Sequence, residues 1–230
     1  MTRHAVYFVP EDGTPLADFG QGVLGRDAVG APVAPLTGPV VVPPAWTARP
    51  ARYGFHATLK APFVLAGDTD EMALVEACDA LAGTHAPIPL AGLAPARHGA
   101  FAALVLPAAL EPLDRLAADC VIGLEPFRAP LDAAAVARRR PDTLDPAARA
   151  RLERWGYPHV LEGFRFHMTL SAVLPDEGEA GELAATWLDA LIARYRSSVG
   201  DRAVFDRLAL CRETTPSSPF VRLAEFPLRG

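Results

Sequence analysis

Lysine is almost absent from this chain: Lys60 stands alone among 22 Lys and Arg residues, against 27 Asp and Glu. The resulting net charge of −5 excludes the broad basic surface that non-specific nucleic-acid binding needs, so an anionic substrate must be held by local positive charge. Alanine, proline and arginine are plentiful in place of lysine, which reads as base-composition bias of the genome. Cysteine is scarce as well. Cys78, Cys120 and Cys211 are scattered without paired spacing, which excludes a disulfide framework and a cysteine zinc site and suits a reducing compartment. No apolar run approaches the ~20 residues of a membrane span, and the N-terminal segment lacks the apolar length of a signal peptide. The expected location is the cytoplasm, away from the membrane. Also missing are a phosphate-loop glycine pattern, His-Glu-x-x-His and Gly-x-Ser-x-Gly.

What the chain has is 230 residues, half of them hydrophobic, enough for a single domain with a real core. Strand character marks 4–9, 55–63, 88–94, 101–106, 164–173, 203–211 and 220–226. Helical spacing marks 70–82, 110–122, 145–155 and 179–195. Asp68 or Thr69 is expected to cap the first of these helices and Asp145, followed by Pro146, the third. The Gly- and Pro-dense stretch 11–51 is expected to be a long loop with little regular structure, and 126–144 a connector. Each half runs through a strand, a helix and paired strands, as an internal duplication would produce. The expectation is one domain of two pseudo-symmetric α+β lobes, about 1–125 and 145–230, packed side by side.

Two segments carry the chemistry: Tyr53-Gly54-Phe55-His56-Ala57-Thr58-Leu59-Lys60 and Phe164-Arg165-Phe166-His167-Met168-Thr169-Leu170-Ser171. Both read Phe-His-x-Thr-Leu. Alternation along a strand sends Phe55, Ala57 and Leu59 toward a core and Gly54, His56, Thr58 and Lys60 to the other face. In the second copy Phe166, Met168 and Leu170 are inward, and Arg165, His167, Thr169 and Ser171 share the polar face. Two such strands facing one another would surround a small anion with two imidazoles and two hydroxyls. Cleaving a phosphodiester requires one group to take a proton from the attacking oxygen and another to give one to the leaving oxygen. A histidine pair does both near neutral pH, and the threonines with a nearby cation stabilise the non-bridging oxygens. No metal or other cofactor is called for.

The paired His-x-Thr motifs resemble the 2H phosphoesterase superfamily, the LigT-like group of RNA ligases and cyclic phosphodiesterases. The resemblance implies a duplicated two-lobe α+β fold, with mostly antiparallel sheets flanking a central cleft. It also implies that His56 and His167 are the acid and base and that Thr58 and Thr169 bind phosphate. The extended wording from Arg52 to Pro62 and from Phe164 to Leu170 is similar to an uncharacterised branch of that superfamily, whose members tend to be encoded beside phosphonate-degradation genes. The long 11–51 insertion departs from the shortest members.

Lys60, Arg165, Ser171, Arg52 and Tyr53 are further candidates for substrate contact, each weighed against an ordinary strand-end or ion-pair role. Tyr7 reads as core, and His4, His85, His98 and His159 as surface or structural residues. Arg138-Arg139-Arg140 reads as a solvated charge run. The leading expectation is a phosphoesterase acting on a small phosphorylated metabolite or nucleotide with a cyclic phosphate. RNA-end processing or ligation, a metallohydrolase with histidine ligands, and a non-catalytic nucleotide- or RNA-binding module are the alternatives.

Overall fold

The computed structural model describes residues 1–36 and 40–230; residues 37–39 of the expected loop lie outside the described residues. The elements follow in the order β1 (Arg3–Phe8), α1 (Pro15–Leu24), α2 (Ala45–Ala51), β2 (Ala57–Phe63), α3 (Glu71–Ala82), β3 (Ile88–Pro89), β4 (Ala94–His98), β5 (Phe101–Val105) and α4 (Glu111–Gly123). Then come α5 (Ala133–Arg138), α6 (Pro146–Trp155), β6 (His167–Val173), α7 (Gly178–Ser198), β7 (Val204–Phe205), β8 (Arg207–Glu213) and β9 (Val221–Pro227). The class is α+β, as expected. Seven strands form one antiparallel sheet in the order β4-β5-β6-β2-β1-β8-β9, and β3 with β7 makes a separate two-stranded piece.

This sheet does not divide where the chain does. The paired strands that follow the first motif, β4 and β5, join the second motif strand β6. Those that follow the second motif, β8 and β9, join β1 and the first motif strand β2. The two motif strands meet in the middle. Strand pairing therefore crosses the expected boundary between residues 1–125 and 145–230.

One face of the sheet is covered by helices. Val6, Phe8, Ala57, Leu59, Leu104, Met168, Leu170, Leu208 and Leu210 are buried there in one cluster with Phe19 of α1, Leu74 of α3, Leu116 of α4 and Leu191 of α7. The opposite face carries a smaller apolar group, in which Tyr7, Ala209, Cys211 and Phe220 pack with Tyr53 at the edge. The alternation read in both motifs is thus realised: Phe55, Ala57, Phe166, Met168 and Leu170 are all buried in the helical layer.

The 11–51 stretch is more ordered than its Gly and Pro content suggests. Thr14 accepts a hydrogen bond from the Ala17 amide, Pro15 opens α1, and Gly25 closes it in the left-handed conformation with φ 73°. This is an ordinary capped helix. The connector 126–144 likewise holds α5, capped by Asp132. Asp145 caps α6 as expected, whereas α3 is capped by Asp70 instead of Asp68 or Thr69. Met72 of α3 is 72% exposed. No described helix is long and apolar enough to cross a membrane.

Helix α1 matters to the site through Gly20. A Cβ at that position would lie 2.0 Å from the Phe55 ring, inside any allowed contact. Phe55 immediately precedes His56, so the missing side chain of Gly20 sets where the first motif enters the sheet. Gly20→Ala is expected to cost about 1–3 kcal/mol by overpacking, read as a lower denaturant midpoint at unchanged m-value.

Candidate active site

The two motifs meet at their centres: Ala57 is the cross-strand partner of Met168. An antiparallel ladder centred on that pair sets His56 beside Thr169 and Thr58 beside His167. Directly opposed residues stand roughly 4.5–5.5 Å apart between Cβ atoms. Two imidazoles and two hydroxyls therefore form a square on the face that the helices leave free, with the histidines on one diagonal and the threonines on the other.

Both imidazoles are oriented by the same device. Nδ1–H of His56 donates to the carbonyl of Gly54 at 2.9 Å, and Nδ1–H of His167 donates to the carbonyl of Arg165 at 2.8 Å. A carbonyl only accepts, so in the neutral ring the proton sits on Nδ1 and Nε2 is left with its lone pair. Each histidine thereby presents Nε2 for proton transfer, and Nε2 of His56 accepts from Thr58 Oγ1 at 3.2 Å. Gly54 adopts φ 76°, a left-handed conformation that suits glycine and turns its carbonyl back toward the ring. The backbone before it is held by Arg26, whose Nη1 donates to the carbonyls of Ala51 and Arg52 and whose Nη2 donates to that of Phe220.

Aromatic rings fix the imidazole planes. Tyr7, 1% exposed, stacks on His56 with centroids 3.9 Å apart. Tyr7 is buried as expected, yet it also belongs to the site. His98 stacks on His167 at 5.2 Å and 16°, with Phe101 tilted against the same ring at 6.0 Å. A cavity of about 350 Å³ opens beside Thr58 and His167, bordered also by His98, Phe101, Tyr157, His159, Phe164 and Arg165; His56 and Thr169 lie outside its lining. His98 and His159, surface or structural residues by their sequence context, thus belong to the cavity lining. His98 comes into place because the β4–β5 hairpin sets it opposite Phe101, a tertiary effect with no local signature. His159 lies in the segment leading into the second motif, and its nearness along the chain was the available signal.

Burial pushes the His56 pKa down to about 4, helped by repulsion from His167 and Arg26 and opposed by the Gly54 carbonyl. His167 is lowered too, by burial first and then by His98 and His159, against the Arg165 carbonyl. Both rings are therefore neutral at pH 7. Between pH 6.5 and 5 the unfolded chain binds protons that folded His56 refuses and folded His167 takes up less readily, so stability is greatest above pH 6.5 and falls on acidification. The expected loss in that window is on the order of 2 kcal/mol for His56. Because the lowered carboxylates of Glu71, Glu125 and Glu213 act at lower pH, denaturant unfolding at pH 7.5 and 5 isolates the histidine part. His56→Gln should remove the His56 share of the difference and leave the part owed to His167 and His159.

Of the further candidates, Arg165 borders the cavity, with Nη1 donating to the carbonyls of Glu162 and Phe164. Tyr53 stacks on Phe220 at 5.4 Å and lies 6.3 Å from the His56 ring. Arg52 is drawn away. Its guanidinium pairs with the fully buried Glu213, which Arg3 also grips, so it braces the β8–β9 turn. Lys60 leaves the motif face altogether. Tyr7 pairs with Thr58 but Val6 pairs with Lys60, so β2 carries one extra residue there. This β-bulge turns both Leu59 and Lys60 toward the helices. Lys60, 3% exposed, donates to the Val121 carbonyl at 2.9 Å and to Glu125 at 3.0 Å. Ser171 has the same fate. Between Ala103 opposite Thr169 and Phe101 opposite Val173, β6 carries two extra residues. Ser171 fills the gap, accepting from the Ala102 amide and donating to the Ala172 carbonyl. Both motif strands thus bulge just after Thr-Leu, and strict alternation fails at the fourth residue after each motif's first Phe-His step. Among the described residues, no group of three His, Cys, Asp or Glu side chains converges to hold a metal ion.

Comparison with known proteins finds relatives that match along this chain. "Ribose 1,5-bisphosphate phosphokinase PhnN" of Janthinobacterium sp. (strain Marseille) is 35% identical over 235 residues, covering 100% of this chain and 51% of that protein. The protein of the same name from Laribacter hongkongensis (strain HLHK9) is 35% identical over 181 residues, covering 76% of this chain and 41% of that one. The chain spans about half the length, or less, of the curated relatives it matches. A family model described as "Protein of unknown function (DUF1045)" matches residues 58–221, from the first motif threonine through the second motif to β9, so the chain belongs to the DUF1045 family.

Proposed function

We propose that this chain is a phosphoesterase of the 2H type, working without a metal, that opens a cyclic phosphate or phosphodiester by paired-histidine acid–base catalysis. The observation that carries this reading is the square of His56, Thr58, His167 and Thr169 around the Ala57–Met168 pair, with both imidazoles fixed as Nδ1–H tautomers. In the proposed step, water attacks phosphorus and gives its proton to Nε2 of one histidine. The bond from phosphorus to the ester oxygen breaks, and that oxygen takes the proton carried by Nε2 of the other. His56, the ring held most strongly neutral, is assigned as base. His167 is the acid, protonated as the arriving phosphate anion raises its pKa. The threonine hydroxyls donate to the non-bridging oxygens.

The cavity of about 350 Å³ is in the range of small-molecule sites, which favours a metabolite over an RNA end. The relatives' name supplies a chemical class: adding water across a 1,2-cyclic phosphate of ribose 5-phosphate yields a ribose bisphosphate. A role in phosphonate breakdown fits both that name and the resemblance of the motifs. The phosphokinase activity in the name is assigned elsewhere. This chain has no Gly-x-x-x-x-Gly-Lys-Ser/Thr segment, and its one lysine is committed to Glu125, so a kinase centre belongs to the part of the relatives that this chain does not span. The two pseudo-symmetric lobes remain part of the proposal, with their outer strands exchanged.

The test is turnover of sugar and nucleoside cyclic phosphates by chelator-treated protein, followed by phosphorus NMR. Appearance of a phosphate monoester supports the reading. An inert protein across that panel, or activity that requires an added metal, overturns it.

A further inference from the structure

The cavity beside the histidine square has a lining that the acidic chain as a whole does not foreshadow. Its twelve bordering residues include His98, His159, His167 and Arg165 and not one Asp or Glu. Its donors are also uncommitted. Among the described residues, the rings of His98 and His159 make no hydrogen bond, and Arg165 spends only Nη1, on two carbonyls. Its Nε and Nη2 stay free. The carboxylate that acts on His159 is Asp145, which lies outside the lining and is occupied as the cap of α6. The cavity begins at the reacting groups Thr58 and His167 and extends to Arg165 and His159.

A monoester phosphate is met best by a guanidinium with two parallel N–H groups and by further N–H donors close by. We propose that Arg165, His159 and His98 form a second anion subsite, which holds a remote monoester phosphate while the histidine square engages the phosphate that reacts. The inference rests on the function proposed above for its catalytic half only. It makes the enzyme selective for cyclic phosphates of sugars that carry a second phosphate. It also gives Arg165 a specificity role in place of the general phosphate contact expected from its position before His167. Tyr157 borders the same cavity.

The test compares ribose 1,2-cyclic phosphate with the same compound phosphorylated on O5. The second phosphate should raise kcat/KM by about 10²-fold, the worth of one or two charge-assisted hydrogen bonds. In an Arg165→Ala/His159→Ala double variant the two compounds should become nearly equal substrates. Equal turnover of both by the unaltered protein, or a preference that survives in the double variant, overturns the subsite. Titration with ribose 5-phosphate reads the subsite without turnover. Saturable shifts of the His98 and His159 ring protons that vanish in Arg165→Ala support it, and unmoved ring protons sink it. Shifts with no turnover would retain the subsite while removing the hydrolase, so the two proposals fail separately.

Discussion

Replacing His56 or His167 by alanine is expected to lower kcat for cyclic-phosphate opening by about 10²–10⁴, the usual worth of one general acid or base. KM should move much less, because neither imidazole is the main holder of substrate charge. The two substitutions act on one proton relay, so the double variant should lose little beyond the worse single one. Folding should survive, since both rings lie on the face opposite the helical core; circular dichroism of each variant checks this. The pH profile separates catalysis from packing. With His56 as base, kcat/KM rises with pH through the free-enzyme value of about 4. With His167 as acid, it falls again at a pH below the ordinary histidine value, since that ring is also lowered. The optimum is thus mildly acidic, and His167→Ala should erase the alkaline limb while His56→Ala erases the acid one. Full kcat in both single variants would remove the mechanism.

Much of this site was legible because the motif is local. Phe-His-x-Thr-Leu declares its strand, its buried face and its reactive face within five residues, and the core positions Phe55, Ala57, Met168 and Leu170 follow from period two alone. The helices were legible where spacing and caps agree, as at Asp145-Pro146. Helix α1 is harder to see although Thr14-Pro15 and Gly25 mark its ends, because Gly and Pro density outweighs the caps. What the sequence withholds is long-range. Nothing local says that β5 pairs with β6 and β8 with β1, since strand order is decided by contacts far apart in the chain. The stack of His98 on His167 is a product of that order. The bulges are of the same kind, because an extra residue in a strand shows only against its partner. Lys60 and Ser171 were placed on the reactive face by an alternation that holds up to Leu59 and Leu170 and then breaks.

That break makes Lys60 the subject of a large stability effect. The lone lysine is 3% exposed and pairs with Glu125, which Arg128 also holds at 2.6 Å. Burial lowers the Lys60 pKa while Glu125 opposes the shift. Burial alone would raise the Glu125 pKa, but the hydrogen bonds from Arg128 and Lys60 bring it below the ordinary carboxylate range. Removing the carboxylate strands the ammonium inside the helical layer with the Val121 carbonyl alone. Breaking a buried pair from one side costs about 3–5 kcal/mol, so Glu125→Ala is expected to lower the stability at pH 7 by that order. Lys60→Met is milder, since it leaves Glu125 its Arg128 partner and replaces the buried stem with a chain of similar length. Combining the two changes should recover part of the Glu125→Ala loss, because the stranded charge is gone, and a double-mutant cycle in denaturant unfolding measures that coupling. The same variants decide what the lysine does. A phosphate contact would be lost as a rise in KM with stability intact, whereas the bulged geometry requires the reverse: Lys60→Met should keep its KM for cyclic phosphate, and all the change should fall on the unfolding midpoint.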